Sequence, residues 1–326
     1  MNIVLTGSLG NISKPLAINL IAKGHSVTVI SSKAERQKEI EVLGAKAAIG
    51  IMQDADFLAK TFTGSDIVYC MQAGDRNKMM DANYTFEELL NDVNLIFQSY
   101  KQAILNSGVK KVIHLSSIGA DKDNGNGVLL FHYNAEQILK SLPENVSIKH
   151  IRPVGFYSNL LANTQIIKQL SKGFVGGIMA LRFYGLGGLF GGKRGAIVSN
   201  YGGKDVVPWV SPLDIATAII DETGKPFNGR TVRYVASEEL SCNEVAKILG
   251  EAIGKPYLKW GLVSDKQLKN AMVGMKMNPS IAQSYVEMNA AHHTGKLFED
   301  YYKNHPTLGI TKLKDFAKQF AAAYNS

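Results

Sequence analysis

The chain has 326 residues, enough to bury a large core as one α/β domain or one with a smaller attached lobe. Its 45% hydrophobic and 20% charged content is ordinary for a folded protein and excludes a disordered or fibrous chain. The net charge of +8 comes from scattered lysines and arginines without a long basic run, so attraction of a polyanionic cofactor, or simple solubility, is preferred over nucleic-acid binding.

The first residues run straight into Ile3, Val4 and Leu5 with no basic region or cleavage site, so no signal peptide is expected. The most apolar long stretch, 174–190, is interrupted by Arg182 and several glycines, which disfavours a membrane span, and no membrane partner is expected. Cys70 and Cys242 make neither a disulfide framework nor a metal set; no metal site is predicted, and a reducing cytoplasm is the expected compartment.

In chain order, short β-branched runs at 2–6, 26–30, 46–49, 66–69, 112–116 and 147–151 alternate with helical patterns at 13–22, 34–43, 84–107 and 131–141. This rhythm predicts an α/β fold, a doubly wound parallel sheet whose strands are buried on both faces. After Arg152 the rhythm changes. A helical stretch at 159–171 precedes a segment, 173–203, so rich in glycine that regular structure should be sparse, as in a flap or a surface insertion. Helical patterns return at 212–220, 241–253, 264–274 and 312–323, predicting a smaller, mostly helical lobe. The expected division is 1–152 for the sheet domain and 153–326 for the lobe, interleaved with the sheet.

The strongest motif is Thr6-Gly7-Ser8-Leu9-Gly10-Asn11-Ile12-Ser13, between the first strand and the first helix. In a Rossmann dinucleotide fold the first glycine permits the tight turn, the second lets backbone approach the pyrophosphate, and the third lets helix and strand pack closely. Gly7 and Gly10 fill the first two roles, and Ser13 stands in the third. Gly7, Ser8, Leu9, Gly10, Asn11 and Ile12 are therefore the expected pyrophosphate loop, aided by the helix N-terminus. The second strand ends Ser31-Ser32-Lys33, with Arg36 a turn later and no carboxylate before Glu35. Two hydroxyls and two cations suit a 2′-phosphate better than a ribose diol, which favours NADP(H), with NAD(H) the alternative.

With that loop in place, Val112-Ile113-His114-Leu115-Ser116-Ser117, the run from Ile151 through Leu160, and Val210-Ser211-Pro212-Leu213-Asp214-Ile215-Ala216 resemble the atypical short-chain dehydrogenases of the NmrA-like type. That family includes quinone reductase-like enzymes and NADP-sensing regulators. The resemblance implies that Met71, Gln72 and Ala73 after the fourth strand, and Ser116 and Ser117 after the fifth, lie beside the cofactor. It also implies that Pro153, Val154 and Phe156 face the nicotinamide, that Ile51 and Met52 flank the adenine, and that a helical region carrying Met272, Met275, Met277 and Met288 covers the substrate cleft.

Ordinary short-chain dehydrogenases use Tyr-x-x-x-Lys, the lysine lowering the tyrosine pKa and binding the nicotinamide ribose. Here Tyr133 is present, but Gln137 stands at the lysine position and Asn134 where related reductases place another lysine. Gln137 can bond to a ribose without supplying charge. Tyr133 and Ser117 are the catalytic candidates. Three functions follow: an NADPH-dependent oxidoreductase passing hydride to a small quinone-like or carbonyl acceptor, a non-catalytic NAD(P) sensor with a regulatory protein partner, and, last, a sugar-nucleotide epimerase-like enzyme.

Overall fold

The computed structural model describes residues 1–72 and 76–326, apart from the side chains at 76, 187 and 189. The first half is built as β1 (Asn2–Leu5), α1 (Ser13–Ala22), β2 (Ser26–Ser31), α2 (Gln37–Val42), β3 (Lys46–Ile49), α3 (Ala55–Phe62), β4 (Ile67–Cys70), α4 (Arg76–Met79), α5 (Phe86–Ser107), β5 (Lys111–Leu115), α6 (Leu130–Lys140) and β6 (Ser147–Pro153). Beyond it come β7 (Gly155–Phe156), α7 (Asn163–Leu170), α8 (Gly173–Tyr184), α9 (Leu186–Leu189), β8 (Ile197–Ser199), β9 (Val206–Val210), α10 (Pro212–Thr223) and β10 (Arg230–Val235). The chain finishes with β11 (Glu238–Ser241), α11 (Cys242–Ala252), β12 (Trp260–Leu262), α12 (Asp265–Gly274), α13 (Pro279–His293), α14 (Glu299–Lys303) and α15 (Leu313–Asn325).

Seven strands form one sheet in the order β10-β6-β5-β4-β1-β2-β3, every neighbouring pair parallel. Alternation along each strand feeds two cores. Ile3 and Leu5 join Leu16 and Leu20 of α1 and Ile215 and Ile219 of α10 on one face. Val4 joins Leu58 of α3, Val93 and Phe97 of α5, and Leu139 of α6 on the other. The six strands expected from the sequence are present; burial on both faces explains the nearly continuous apolar runs of β1, β2, β4 and β5, whereas β3 lies half-buried at the sheet edge. The long α5 is fixed at both ends. A reciprocal capping box between Thr85 and Glu88 starts it, and Gly108, with φ 75°, ends it.

The seventh strand, β10, comes from the second half of the chain, which also carries a three-stranded sheet, β11-β9-β7, and a two-stranded one, β12-β8, besides its helices. The expectation of sparse structure across 173–203 is corrected: α8, α9 and β8 lie there. Some of its glycines serve close packing, while others, such as Gly177 and Gly192, face open space. A side chain at Gly176 would run into the carbonyl of Leu170 at 2.7 Å, and one at Gly188 into the backbone of Ala180. Among the described residues no helix is long and apolar enough to cross a membrane.

Candidate functional site

Because the strands are parallel, the segments that follow β1, β2, β4, β5 and β6 emerge at one edge of the sheet, where the strand order reverses between β1 and β4. The turn after β1 uses φ of 84° at Gly7 and 58° at Ser8. At Gly7 a side chain would also collide with the Met71 thioether. At Gly10 a Cβ would meet nothing nearer than the Gly7 carbonyl at 3.8 Å, so that glycine opens onto free space. Leu9 and Ile12 are buried and anchor the loop, while Gly10 and Asn11 face outward. No side chain caps α1 and its first turn holds no carboxylate, so its positive dipole end is left for an anion, although the Lys14 N–H is taken by the Gly10 carbonyl at 3.0 Å and Pro15 has no N–H to offer. These features fit a dinucleotide pyrophosphate.

Ser13, in the third glycine position, is buried, and its hydroxyl donates to the Thr6 carbonyl at 3.4 Å. The adjoining strand is tied in by the Met71 N–H, which donates to Thr6 Oγ1 at 3.0 Å, and by the Tyr100 hydroxyl, which donates to the Met71 carbonyl at 2.9 Å. The same hydroxyl lies 2.8 Å from the Met52 sulfur, so Met52 and Met71 share one neighbour. Ile51 is exposed and Gln72 half-buried. Ala73, expected beside them, lies outside the described residues.

At the end of β2 the Ser8 hydroxyl donates to Ser31 Oγ at 3.1 Å, and the Arg36 guanidinium donates to Ser8 Oγ at 3.2 Å. The structure thus gathers Ser8, Ser31 and Arg36 into one cluster beside the glycine loop. Ser32 and Lys33 are exposed next to it. Two hydroxyls and a fixed guanidinium form a donor set suited to a phosphate dianion.

The ends of β5 and β6 are joined by backbone bonds, Ser116 N–H to the Ile151 carbonyl at 2.8 Å and Ile118 N–H to the Pro153 carbonyl at 2.9 Å. Ser117, Pro153 and Val154 are buried there, and Phe156 is half-buried. The Ser116 hydroxyl donates to Glu136 of α6 at 2.6 Å. Glu136 in turn receives two bonds from Arg152, both of 2.8 Å, and Arg152 also reaches the Tyr234 hydroxyl at 3.0 Å and Asp300 at 3.2 Å. Burial alone would raise the Glu136 carboxyl, but the bonds and charge of Arg152, helped by Ser116, hold it far below the ordinary range. Beside it, His114 and His150 face each other at 2.9 Å in the core, and burial lowers His150 to about 4, so the pair is neutral. Sequence reading passed over Glu136 and Arg152; the available signal was three basic residues, Lys149, His150 and Arg152, in a run that forms an inner strand, β6.

On α6, Tyr133 is half-buried, and among the described residues its hydroxyl makes no hydrogen bond. Gln137 is exposed and lines a shallow groove between α5 and α6 with Asn94, Gln98, Asn134 and Ile138. The one lysine of α6, Lys140, is engaged with Glu136 at 3.3 Å. Of the four methionines, Met275 is exposed and Met288 packs where α13 crosses residues 127–129, close enough that a side chain at Gly127 would strike its backbone. His292 is half-buried, with its ring stacked on Tyr201, and His293 bonds Asp205 at 2.7 Å. Among the described residues no group of three or more potential metal ligands is assembled.

Residues 7–155 match a family model described as NAD(P)H-binding. Comparison with curated proteins gives no significant match. Solved structures of the same fold include the Citrobacter sp. triphenylmethane reductase complexed with NADP(H), at 19% identity and TM-score 0.69, covering 98% of this chain and 100% of that one. The NADPH-dependent quinone oxidoreductase of Escherichia coli, complexed with NADPH, is 15% identical with TM-score 0.71, covering 97% and 99%. A nucleoside-diphosphate-sugar epimerase from Staphylococcus aureus is 16% identical with TM-score 0.70, covering 98% and 100%. At these identities the likeness is one of fold.

Proposed function

We propose that the protein, whose residues 7–155 match the NAD(P)H-binding family model, is an NADPH-dependent oxidoreductase acting on a small quinone-like or carbonyl acceptor. The observation that carries the cofactor choice is the Ser8–Ser31–Arg36 cluster beside the glycine loop. A bound nicotinamide supplies the hydride, and the protein supplies binding, orientation and exclusion of water. In this reading Gly7, Gly10 and the start of α1 hold the pyrophosphate, with Leu9, Asn11 and Ile12 shaping the loop. Ser8, Ser31 and Arg36, with Ser32 and Lys33 at the rim, hold the 2′-phosphate, and Ile51 and Met52 flank the adenine. Met71, Gln72, Ser116, Ser117, Pro153, Val154 and Phe156 line the reacting end.

Among the described residues the Tyr133 hydroxyl makes no hydrogen bond, and its own helix gives it no free lysine, since positions 134 and 137 are amides and Lys140 is held by Glu136. A quinone needs less help from a protein acid than a ketone does, which is why a quinone-like acceptor is preferred. The same observation favours a second reading, a non-catalytic NAD(P) sensor that reports to a protein partner. The two readings share the cofactor site. Arg36→Ala is expected to weaken NADPH by roughly 10- to 100-fold, the worth of a charge-assisted phosphate contact, and NADH by about twofold or less. Fluorescence titration with both nucleotides checks this. Equal losses for the two would remove the argument for the 2′-phosphate.

A further inference from the structure

On most surface helices the apolar face turns inward. On α8 it turns outward. Phe174, Val175, Ile178 and Leu181 follow helical spacing along one side and are exposed, Phe174 by 84%, while Gly176 and Ala180 are buried on the other. Leu186 and Phe190 continue the apolar surface beyond it, with Phe190 exposed by 85%. Two phenylalanines and four aliphatic side chains exceed the scattered exposure expected of a monomer's surface.

The rim of this surface is basic. Lys172 precedes α8, Arg182 lies on it, and Lys193 and Arg194 follow. Lys255 and Lys259 reach in from another part of the chain, bonding the carbonyls of Arg194 at 3.3 Å and Phe183 at 3.0 Å. No aspartate or glutamate occurs between Glu144 and Asp205. Among the described residues none of these six cations is in an ion pair. A symmetric dimer through this face would bring one cationic rim against another. An anionic bilayer satisfies both features, taking the apolar side chains at its interface and the cations at its headgroups.

We infer that α8 and the turn after it dock the protein on the surface of an anionic phospholipid bilayer, lying on it without crossing it. The sequence reading of 174–190 as too interrupted for a span is compatible with this, because interfacial binding needs one exposed face and no spanning length. The inference is independent of the cofactor reading, and a chain that never oxidises NADPH tests it equally well.

The experiment is co-sedimentation of the full chain with phosphatidylcholine vesicles, with and without phosphatidylglycerol. Partitioning is expected to be about tenfold or more stronger on the anionic vesicles and to fall at high salt. F174S combined with F190S, and separately K193E combined with R194E, should each lower it by about tenfold or more. The unfolding midpoint of the serine variant should stay put, since both rings project into water. Three results would overturn the inference: wild-type protein left in the supernatant with anionic vesicles, variants that bind like wild type, or a wild-type dimer that F174S/F190S splits into monomers.

Discussion

Gly10→Val is expected to lower NADPH affinity by about a hundredfold or more while shifting the thermal midpoint by no more than about 2 °C. The expectation follows from two observations. A Cβ at Gly10 would find only the Gly7 carbonyl, at 3.8 Å, so the folded chain has room for the valine. The same space lies before the uncapped start of α1, where a pyrophosphate would have to approach backbone. Gly7 makes the contrast. With φ at 84° and the Met71 thioether against it, Gly7→Val should destabilise the protein itself by about 1–3 kcal/mol from backbone strain alone. Parallel nucleotide titration and thermal melting of the two variants separate a ligand-facing glycine from a structural one. A well-folded Gly10→Val protein that binds NADPH normally would remove the loop assignment.

Arg152→Met should cost about 3–5 kcal/mol of stability, because it leaves the Glu136 carboxylate buried without its partner. The loss should reach the site as well, since Glu136 is also what the Ser116 hydroxyl is bonded to. Replacing both members, Glu136→Leu with Arg152→Met, should recover a large part of that loss. The pH dependence has a definite sign. Glu136 is depressed in the folded state, so its contribution is fully present above the ordinary carboxylate pKa and is lost only as pH falls toward the lower folded value. The wild type and Arg152→Met should therefore differ most near neutrality and converge on acidification. Urea unfolding at a series of pH values measures this, and a constant difference down to strongly acidic pH would contradict it.

Much of this was legible in the sequence because local pattern and final environment agree. The runs that became β1, β2, β4 and β5 are buried on both faces and are nearly continuous in apolar residues. β10, Arg-Thr-Val-Arg-Tyr-Val, was missed because it lies at the sheet edge and only its last residues, Tyr234 and Val235, are buried. Helix α3 was also passed over, although Asp54 caps it by accepting the Phe57 N–H at 3.0 Å, a signal readable from the residues alone. The glycines of α8 and α9 misled for a physical reason. Glycine weakens a helix in isolation, and the compensating close approach to Leu170 and Ala180 exists only in three dimensions. At the candidate site, the loop and the run from Ser31 through Arg36 were visible from spacing. The Glu136–Arg152 bond joins α6 to β6, and no sequence spacing discloses such a pair.

The central claim is that the protein reduces a quinone-like acceptor with NADPH, and NADPH oxidation measured across a panel of quinones and carbonyl compounds tests it most directly. The account predicts saturable oxidation with a quinone, with one NADPH consumed per quinone reduced. Turnover in Tyr133→Phe should fall by less than about tenfold, because α6 lacks the lysine that would make that hydroxyl an essential acid. Tight NADPH binding without oxidation by any acceptor would contradict the account in favour of the sensor. A loss of roughly several hundredfold in Tyr133→Phe, with NADPH affinity intact, would show instead that the site activates its tyrosine without the usual lysine.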